Sequence, residues 1–162
     1  PSSAASDVYK RQVLHRGGCY IMVRVRTRIL DKPKHKQVTV QYERAVRSLI
    51  GQAGNLVRNT AVNSINQGAK SGVVYEKYNP RRTHKASAAG EPPATDTGFL
   101  VSNIFLNVDT DGLGASVESR ADYSSFLEFG TSKMAARPFM QPALEENKPK
   151  IKRLARQMVK AK

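Results

Sequence analysis

The residues best suited to nucleophilic catalysis are two serines and three histidines. Ser124 and Ser125 lack the flanking glycines that expose a nucleophile on a sharp strand-to-helix turn. His15, His35 and His84 occur in three unrelated polar contexts, so the sequence indicates no base partner for either serine. We therefore expect no catalytic residue and no enzyme activity.

One pair of aspartates resembles the start of a calcium-binding loop. Asp109 and Asp111 have suitable spacing, but Arg120 occupies the position where such a loop needs a bidentate glutamate. Gly112 follows the aspartates directly, and this combination favours a turn.

A second possible metal site is no more complete. His84, Glu91 and Asp96 could ligate zinc, but no third soft ligand lies at a suitable spacing. The chain has a single cysteine, Cys19, which excludes both a multi-cysteine site and an internal disulfide and fits a reducing cytoplasm. The sequence predicts no metal and no cofactor.

Glu128 and Arg137 bracket a short polar segment, residues 130–136, and could form an ion pair across it. If the pair is exposed, it contributes at most about 1 kcal/mol to stability. If it is buried, its role is positional.

Charge is the strongest feature of the composition. The 162 residues include 27 lysines and arginines against 13 aspartates and glutamates, a formal net charge of +14. This excess predicts an acidic partner, whether nucleic acid, another protein or a membrane surface. No apolar run is long enough to span a bilayer, and we expect no membrane partner.

Two clusters of basic residues could contact phosphates or an acidic partner. Residues 23–29 alternate between arginine and smaller, mostly aliphatic side chains, which predicts a strand with one buried face. Its arginines form either a solvated edge or a strip facing phosphate or another subunit. The C-terminal segment is either a solvated helix face or a second contact surface. The candidate contacts are Arg24, Arg26, Arg28, Lys152, Arg153 and Arg156.

The longest periodic segment, residues 38–67, predicts a helix with a single apolar stripe, ended by Gly68. Residues 1–21 have no such period, and within them residues 2–12 resemble translated adapter sequence. We expect this stretch to be a disordered or non-native leader, with Met22 as the genuine start. Residues 22–162 then form a single domain.

The remaining elements predict an α+β fold. Residues 73–75, the arginine-lined strand and a hairpin over residues 104–120 are expected to form one antiparallel sheet under the long helix. Within the hairpin, Ile104, Leu106 and Val108 are predicted to face inward. Residues 84–95 predict a structureless loop, followed by a short helix that carries Phe99 and Leu100. The predicted caps of that helix are Thr95, Asp96 or Thr97.

A second short helix is expected after Asp122, its predicted cap. Tyr123, Phe126 and Leu127 share one of its faces, and Gly130 ends it. Pro138 should direct Phe139 toward an apolar surface. Pro142 suits the first turn of a last helix, which Pro149 should kink or split.

Two blocks of this chain carry a resemblance to a known family. Residues 84–100 read HKASAAGEPPATDTGFL, and residues 123–144 read YSSFLEFGTSKMAARPFMQPAL. Both resemble, in the same order, the paired signature of the head-tail joining (neck, or tail-completion) proteins of long-tailed bacteriophages, the gene-product-ten-like family of the HK-ninety-seven type. The departures are Ala89 for a proline, Asn103 for a serine and Ser124 for an alanine.

The resemblance implies a structural component of the virion neck that joins or completes the head-tail connection. It implies an oligomeric ring around the DNA channel and partners among connector, head-closure and tail-terminator proteins. Genomic DNA would pass without sequence-specific contact. The expected locations are the virion neck and, during assembly, the host cytoplasm. The residues expected to contact subunits or connector rings are His84, Glu91, Asp96, Glu128, Thr131, Met134, Arg137 and Phe139.

Two other functions remain open at this point. The net charge of +14 alone would suit a basic nucleic-acid-binding protein. A small enzyme such as a nuclease, using His84 and Glu128, is the third hypothesis.

Overall fold

The computed structural model describes residues 7–15, 18–26, 36–78 and 81–160. Along the chain the elements are β1 (Asp7–His15), β2 (Gly18–Arg26), α1 (Lys36–Gln67), β3 (Val74–Tyr78), β4 (Arg81–Lys85), α2 (Phe99–Ser102), β5 (Ile104–Val108), β6 (Ala115–Ser119), α3 (Ser124–Phe129) and α4 (Met140–Lys160). They form the predicted α+β fold, with a long helix, a short helix and a C-terminal helix packed on antiparallel sheet.

The 32-residue helix α1 is the largest element, and its buried stripe is the predicted one. Gly68 ends α1 as expected, and its amide donates to the Ser64 carbonyl oxygen at 2.8 Å. Gly54 lies on the buried face, where a Cβ atom would come within 2.4 Å of Leu106 Cδ1. The missing side chain therefore lets β5 approach the helix closely. The buried members of the stripe are Val46, Leu49, Ile50, Ala53, Val57, Ala61 and Ile65.

The main sheet has four antiparallel strands in the order β1, β2, β6, β5. Its register pairs Ile21 with Val117, and Val117 with Leu106. Alternate residues of β6 are buried, as a strand with one face against a helix requires. The 104–120 hairpin is confirmed, although Val108, which was expected to point inward, is 48% exposed.

The arginine-bearing strand is not at an edge. β2 contains Arg24 and Arg26 and pairs with β1 on one side and β6 on the other, so the edge interpretation was wrong. Arg28 lies outside the described residues. Residues of the predicted leader belong to β1 and β2, while the division at Met22 stays a prediction.

The strand predicted near residue 74 does not join the main sheet. β3 pairs only with β4, which was not predicted, as a separate antiparallel hairpin. Val74 and Tyr78 are exposed, and β4 has no apolar residue to alternate with its polar ones. Because this hairpin has no continuous apolar face, it cannot take a place over the core.

Helix α4 closes the core against α1. Phe139 and Met140 are fully buried, which confirms the expected direction of Phe139. Pro142 lies in the first turn as predicted, and α4 continues through Pro149 without being split. In the described part of the chain, no helix has the length and hydropathy needed to cross a bilayer. The other core residues of α4 are Ala143, Leu144 and Ile151.

Both predicted side-chain caps were wrong. Gly98, with φ 79°, precedes α2, and Tyr123 precedes α3, and neither cap has a side-chain hydrogen bond. The backbone at position 98 is left-handed, and glycine is favoured there because it adopts that φ without strain. Thr97 Oγ1 lies only 3.4 Å from the Phe99 amide nitrogen, which is a weak contact.

The difference between buried and exposed phenylalanines gives a test of the core. Phe139→Ala should lower the free energy of unfolding by about 3–5 kcal/mol, because it removes a fully buried ring. Phe126→Ala, at a site 55% exposed, should change it by about 0.5 kcal/mol or less. Urea denaturation followed by circular dichroism measures both. Equal losses would contradict the assignment of Phe139 to the core.

Candidate functional site

The structure brings the two sequence blocks together. Residues 86–98, the first loop, lie beside residues 130–139, the second loop. The Gly90 amide donates to the Ala136 carbonyl oxygen at 2.9 Å, and Arg137 Nε donates to the Ser87 carbonyl oxygen at 3.3 Å. One contact joins main chain to main chain and the other joins the Arg137 side chain to a backbone carbonyl, so the two loops form one surface.

Glu91 holds the first loop in shape. Its carboxylate accepts hydrogen bonds from the Ser71 amide and hydroxyl and, at 2.8 Å, from the Ala88 amide. The hydrogen bonds from Ser71, with that from Ala88, lower the pKa of Glu91 below its ordinary value because they stabilise the charged form. Glu91 therefore ties the loop to the segment that follows α1.

Asp96 fastens the β3–β4 hairpin to the first loop. Its carboxylate pairs with the Lys77 ammonium group and, at 2.7 Å, with the Arg82 guanidinium, while His84 Nδ1 lies 3.9 Å away. The hydrogen bond from Lys77 and the charge of Arg82 lower the pKa of Asp96. Register explains the cluster: Lys77 pairs with Arg82, so both side chains leave the same face of the hairpin.

Glu128 performs a different task from the one expected. Its side chain is buried, and its carboxylate accepts hydrogen bonds from the Phe139, Met140 and Gln141 amides at 2.9, 3.0 and 2.8 Å. These amides stand at the start of α4, and the first amides of an α-helix need acceptors from outside the regular pattern of helical hydrogen bonds. Glu128 therefore caps α4 from a distant position and makes no ion pair with Arg137, which corrects the predicted pairing.

The second loop is shaped by a glycine and a tight turn. Gly130 has φ 75°, and a Cβ atom there would lie 2.7 Å from the Met134 carbonyl oxygen. Thr131 and Met134 form a short backbone bridge, and Thr131 Oγ1 accepts the Met134 amide at 3.1 Å. The Arg137 amide then donates to the Leu127 carbonyl oxygen at 2.6 Å. These contacts fix where the Arg137 side chain starts.

A groove of about 400 Å³ opens beside the two loops and the β3–β4 hairpin. Its polar lining includes Tyr123 and Thr97, which both carry hydroxyls, and burial raises the pKa of Tyr123. The lining residues used below are Pro93, Leu100, Leu127, His84, Asp96 and Arg137.

Two exposed aromatic residues, Phe99 and Tyr123, line the groove, and two more, Phe126 and Phe129, follow Tyr123 in the chain. Phe99 and Tyr123 are neighbours, with ring centroids 6.2 Å apart. Phe126 and Phe129 follow Tyr123 at intervals of three residues, with Tyr123 directly before α3 and both phenylalanines within it. All four side chains are between 41% and 55% exposed. The sequence placed Tyr123, Phe126 and Leu127 on one face but did not show that α3 turns Ser124 and Glu128 inward.

The basic candidates that lie on α4 are outside the groove. Lys152, Arg153 and Arg156 are exposed on α4. Two other lysines of the same helix form ion pairs, Lys148 with Glu145 at 2.6 Å and Lys150 with Glu146 at 3.2 Å. None of the three exposed cations lines the groove.

The described residues contain no group of three histidine, cysteine, aspartate or glutamate side chains that could hold a metal ion. Of the zinc candidates, Glu91 bonds to Ser71 and Ala88, while His84 and Asp96 lie together in the lining of the groove, which does not include Glu91. Ser124 is fully buried.

Most of the residues expected at the site lie at or beside the loops, with different roles. His84, Asp96 and Arg137 line the groove. Thr131 and Met134 belong to the turn of the second loop, and Phe139 is packed in the core. The sequence did not reveal the roles of Ser71, Lys77 and Arg82. Lys77 and Arg82 are neighbours only because β3 pairs with β4, and the sequence did not predict that pairing.

No protein-family model, curated protein or solved structure matches this chain. The resemblance therefore rests on the two sequence blocks alone.

The cap formed by Glu128 gives a direct test of the site. Glu128→Gln should lower the free energy of unfolding by about 1–3 kcal/mol, because an amide replaces a carboxylate that accepts three amides at a helix start. Glu146→Gln, the matched control, removes the same charge from an exposed pair and should cost about 0.5 kcal/mol or less. Urea denaturation distinguishes them, and equal effects would remove the capping role.

Proposed function

We propose that this protein is a structural joint of the neck of a long-tailed bacteriophage, where it joins or completes the head-tail connection. The resemblance of residues 84–100 and 123–144 motivates the proposal. Its physical support is that these blocks, separated in sequence, form one hydrogen-bonded surface.

The observation that carries the proposal is the exposed aromatic set on that surface. Phe99, Tyr123, Phe126 and Phe129 leave apolar rings in water next to loops held in fixed shape. Clustered exposed apolar groups on a rigid surface are typical of protein contact sites, and aromatic side chains are enriched in them. A joint needs such surfaces because its work is to bind neighbours.

The contacts within the loops indicate a preformed surface. Gly90 bonds to the second loop, and Glu91 and Asp96 hold the first loop at its two ends. A preformed loop loses less conformational entropy on binding than a flexible one. In this proposal the protein acts as an oligomer, with copies and other connector rings covering the aromatic rings around the channel.

Mutation of the rings tests the proposal. In the phage that encodes this protein, the double substitution Phe126→Ala and Phe129→Ala should lower the infectious titre about tenfold or more and leave unjoined heads and tails visible by electron microscopy. The purified variant should remain folded, because both rings are largely exposed.

Leu113→Ala is the control, since Leu113 is 46% exposed and belongs to the turn between β5 and β6, not to either loop. It should assemble normally. Normal joining by the double variant would contradict the proposal.

A basic nucleic-acid-binding protein is the second candidate, favoured by the exposed cations Lys152, Arg153 and Arg156. A binding module should retain duplex DNA at moderate salt in a mobility-shift measurement, and replacing these three residues with glutamine should flatten the salt dependence. A joint should release the duplex under those conditions.

The nuclease hypothesis has less support from the geometry. Glu128 is buried and accepts three amides, so it is not placed to activate water in the groove. If His84→Ala leaves any DNA cleavage unchanged, the remaining candidate is removed.

A further inference from the structure

We infer that the groove between the two loops binds the carboxylate of an acidic side chain presented by a neighbouring polypeptide, with Arg137 as its main contact. The identity of the neighbour as another neck component rests on the proposed function. The site itself depends only on the geometry of the groove.

The charges that line the groove are not balanced. Asp96 is the only acidic residue among the lining residues, and its carboxylate is already paired with Lys77 and Arg82. Arg137 has no ion pair with any described carboxylate. The groove therefore has a cation without a counter-charge, on a chain whose net charge is +14.

Hydrogen bonds hold Arg137 at its main chain and at Nε. Its backbone amide is fixed on the Leu127 carbonyl, and its Nε donates to the Ser87 carbonyl. The two terminal nitrogens have no hydrogen-bond partner among the described residues. Because Nε and the main chain are held, these nitrogens are pre-positioned, and the planar end of arginine matches the two oxygens of a carboxylate.

The other lining residues supply hydroxyl donors and apolar walls. The Tyr123 hydroxyl stays neutral, since burial raises its pKa, and it can donate a hydrogen bond to an anion. The Thr97 hydroxyl is a further donor, while Pro93, Leu100 and Leu127 supply apolar walls. A glutamate or aspartate has both parts that this lining fits, an aliphatic stem and a charged end.

The shape favours a side chain over a nucleic acid. A groove of about 400 Å³ is near the lower end of the range for small-ligand sites, roughly 300–1,000 Å³. A DNA duplex carries its phosphates on a convex rod that would meet the rim, whereas an acidic side chain can enter. Phosphate binding therefore becomes an outcome of the test.

The test is a titration of the full ¹⁵N-labelled chain, followed by amide chemical shifts. The probe is the tripeptide Ala-Glu-Leu, acetylated and amidated at its ends, and the matched control is Ala-Gln-Leu. We expect saturable shifts at Arg137, Thr97 and Tyr123 with the glutamate peptide, at a dissociation constant on the order of 1 mM for one charged contact. Ala-Gln-Leu should produce no saturable shift.

Two variants with the same change in net charge separate a site from general attraction. Arg137→Gln should weaken the glutamate peptide about tenfold or more, and Arg153→Gln, at an exposed cation of α4, should leave its affinity unchanged. Tyr123→Phe keeps the ring contact with Phe99 and should weaken binding about threefold to fivefold. The Tyr123→Phe variant tests the groove even if Arg137→Gln proves unfolded.

Several results would overturn the inference: no saturable shift, equal binding of the glutamine peptide, or equal weakening by Arg137→Gln and Arg153→Gln. Tighter binding of inorganic phosphate or duplex DNA to the same residues would replace the carboxylate with a phosphate. Failure of the two hypotheses can be told apart. If the peptide binds and the Phe126 and Phe129 double variant joins heads and tails normally, the carboxylate site stands and the neck function is removed. If the peptide does not bind and the double variant fails to join them, the neck function stands and the carboxylate site is removed.

Discussion

The start of α4 depends on one buried carboxylate. The Phe139 and Met140 amides lie in the interior, where an unpaired donor is costly, and Glu128 supplies the acceptor for both and for the Gln141 amide. A contact between α3 and the first residues of α4 fixes both ends of the second loop. Arg137 lies just before this anchor, so its position in the groove follows from a hydrogen-bond requirement of the helix.

The same logic places the first loop. Its residues are small and include no large apolar side chain, so hydrophobic burial contributes little to its shape. Glu91, Asp96 and the Gly90 amide hold it instead, through bonds to α1's exit, to the β3–β4 hairpin and to the second loop. Both pKa values, of Glu91 and Asp96, are lowered, so these contacts are at full strength above the ordinary carboxyl range and weaken as pH falls through the lowered values.

Residue patterns predicted the parts of the fold that repeat. The stripe of α1 and the alternation of the 104–120 hairpin were visible because burial imposes a period on them. The β3–β4 hairpin has no such period, since it covers no core. Charge alone suggested that Glu128 would pair with Arg137. Its real partners are backbone amides, which every residue except proline carries and no sequence pattern marks. The loops were identified by resemblance, but their mutual contact needed coordinates.

On this account, Glu128 fixes the second loop in the position where that loop bonds to the first loop, so the contact between the two sequence blocks depends on it. Amide hydrogen exchange in the wild type and in Glu128→Gln, measured residue by residue by NMR, tests it most directly. The account predicts faster exchange at Met140 and also at Gly90, whose amide bonds to the second loop, with no change at Gly68 at the end of α1. Faster exchange at Met140 with Gly90 unaltered would contradict it, because the blocks would then be held independently.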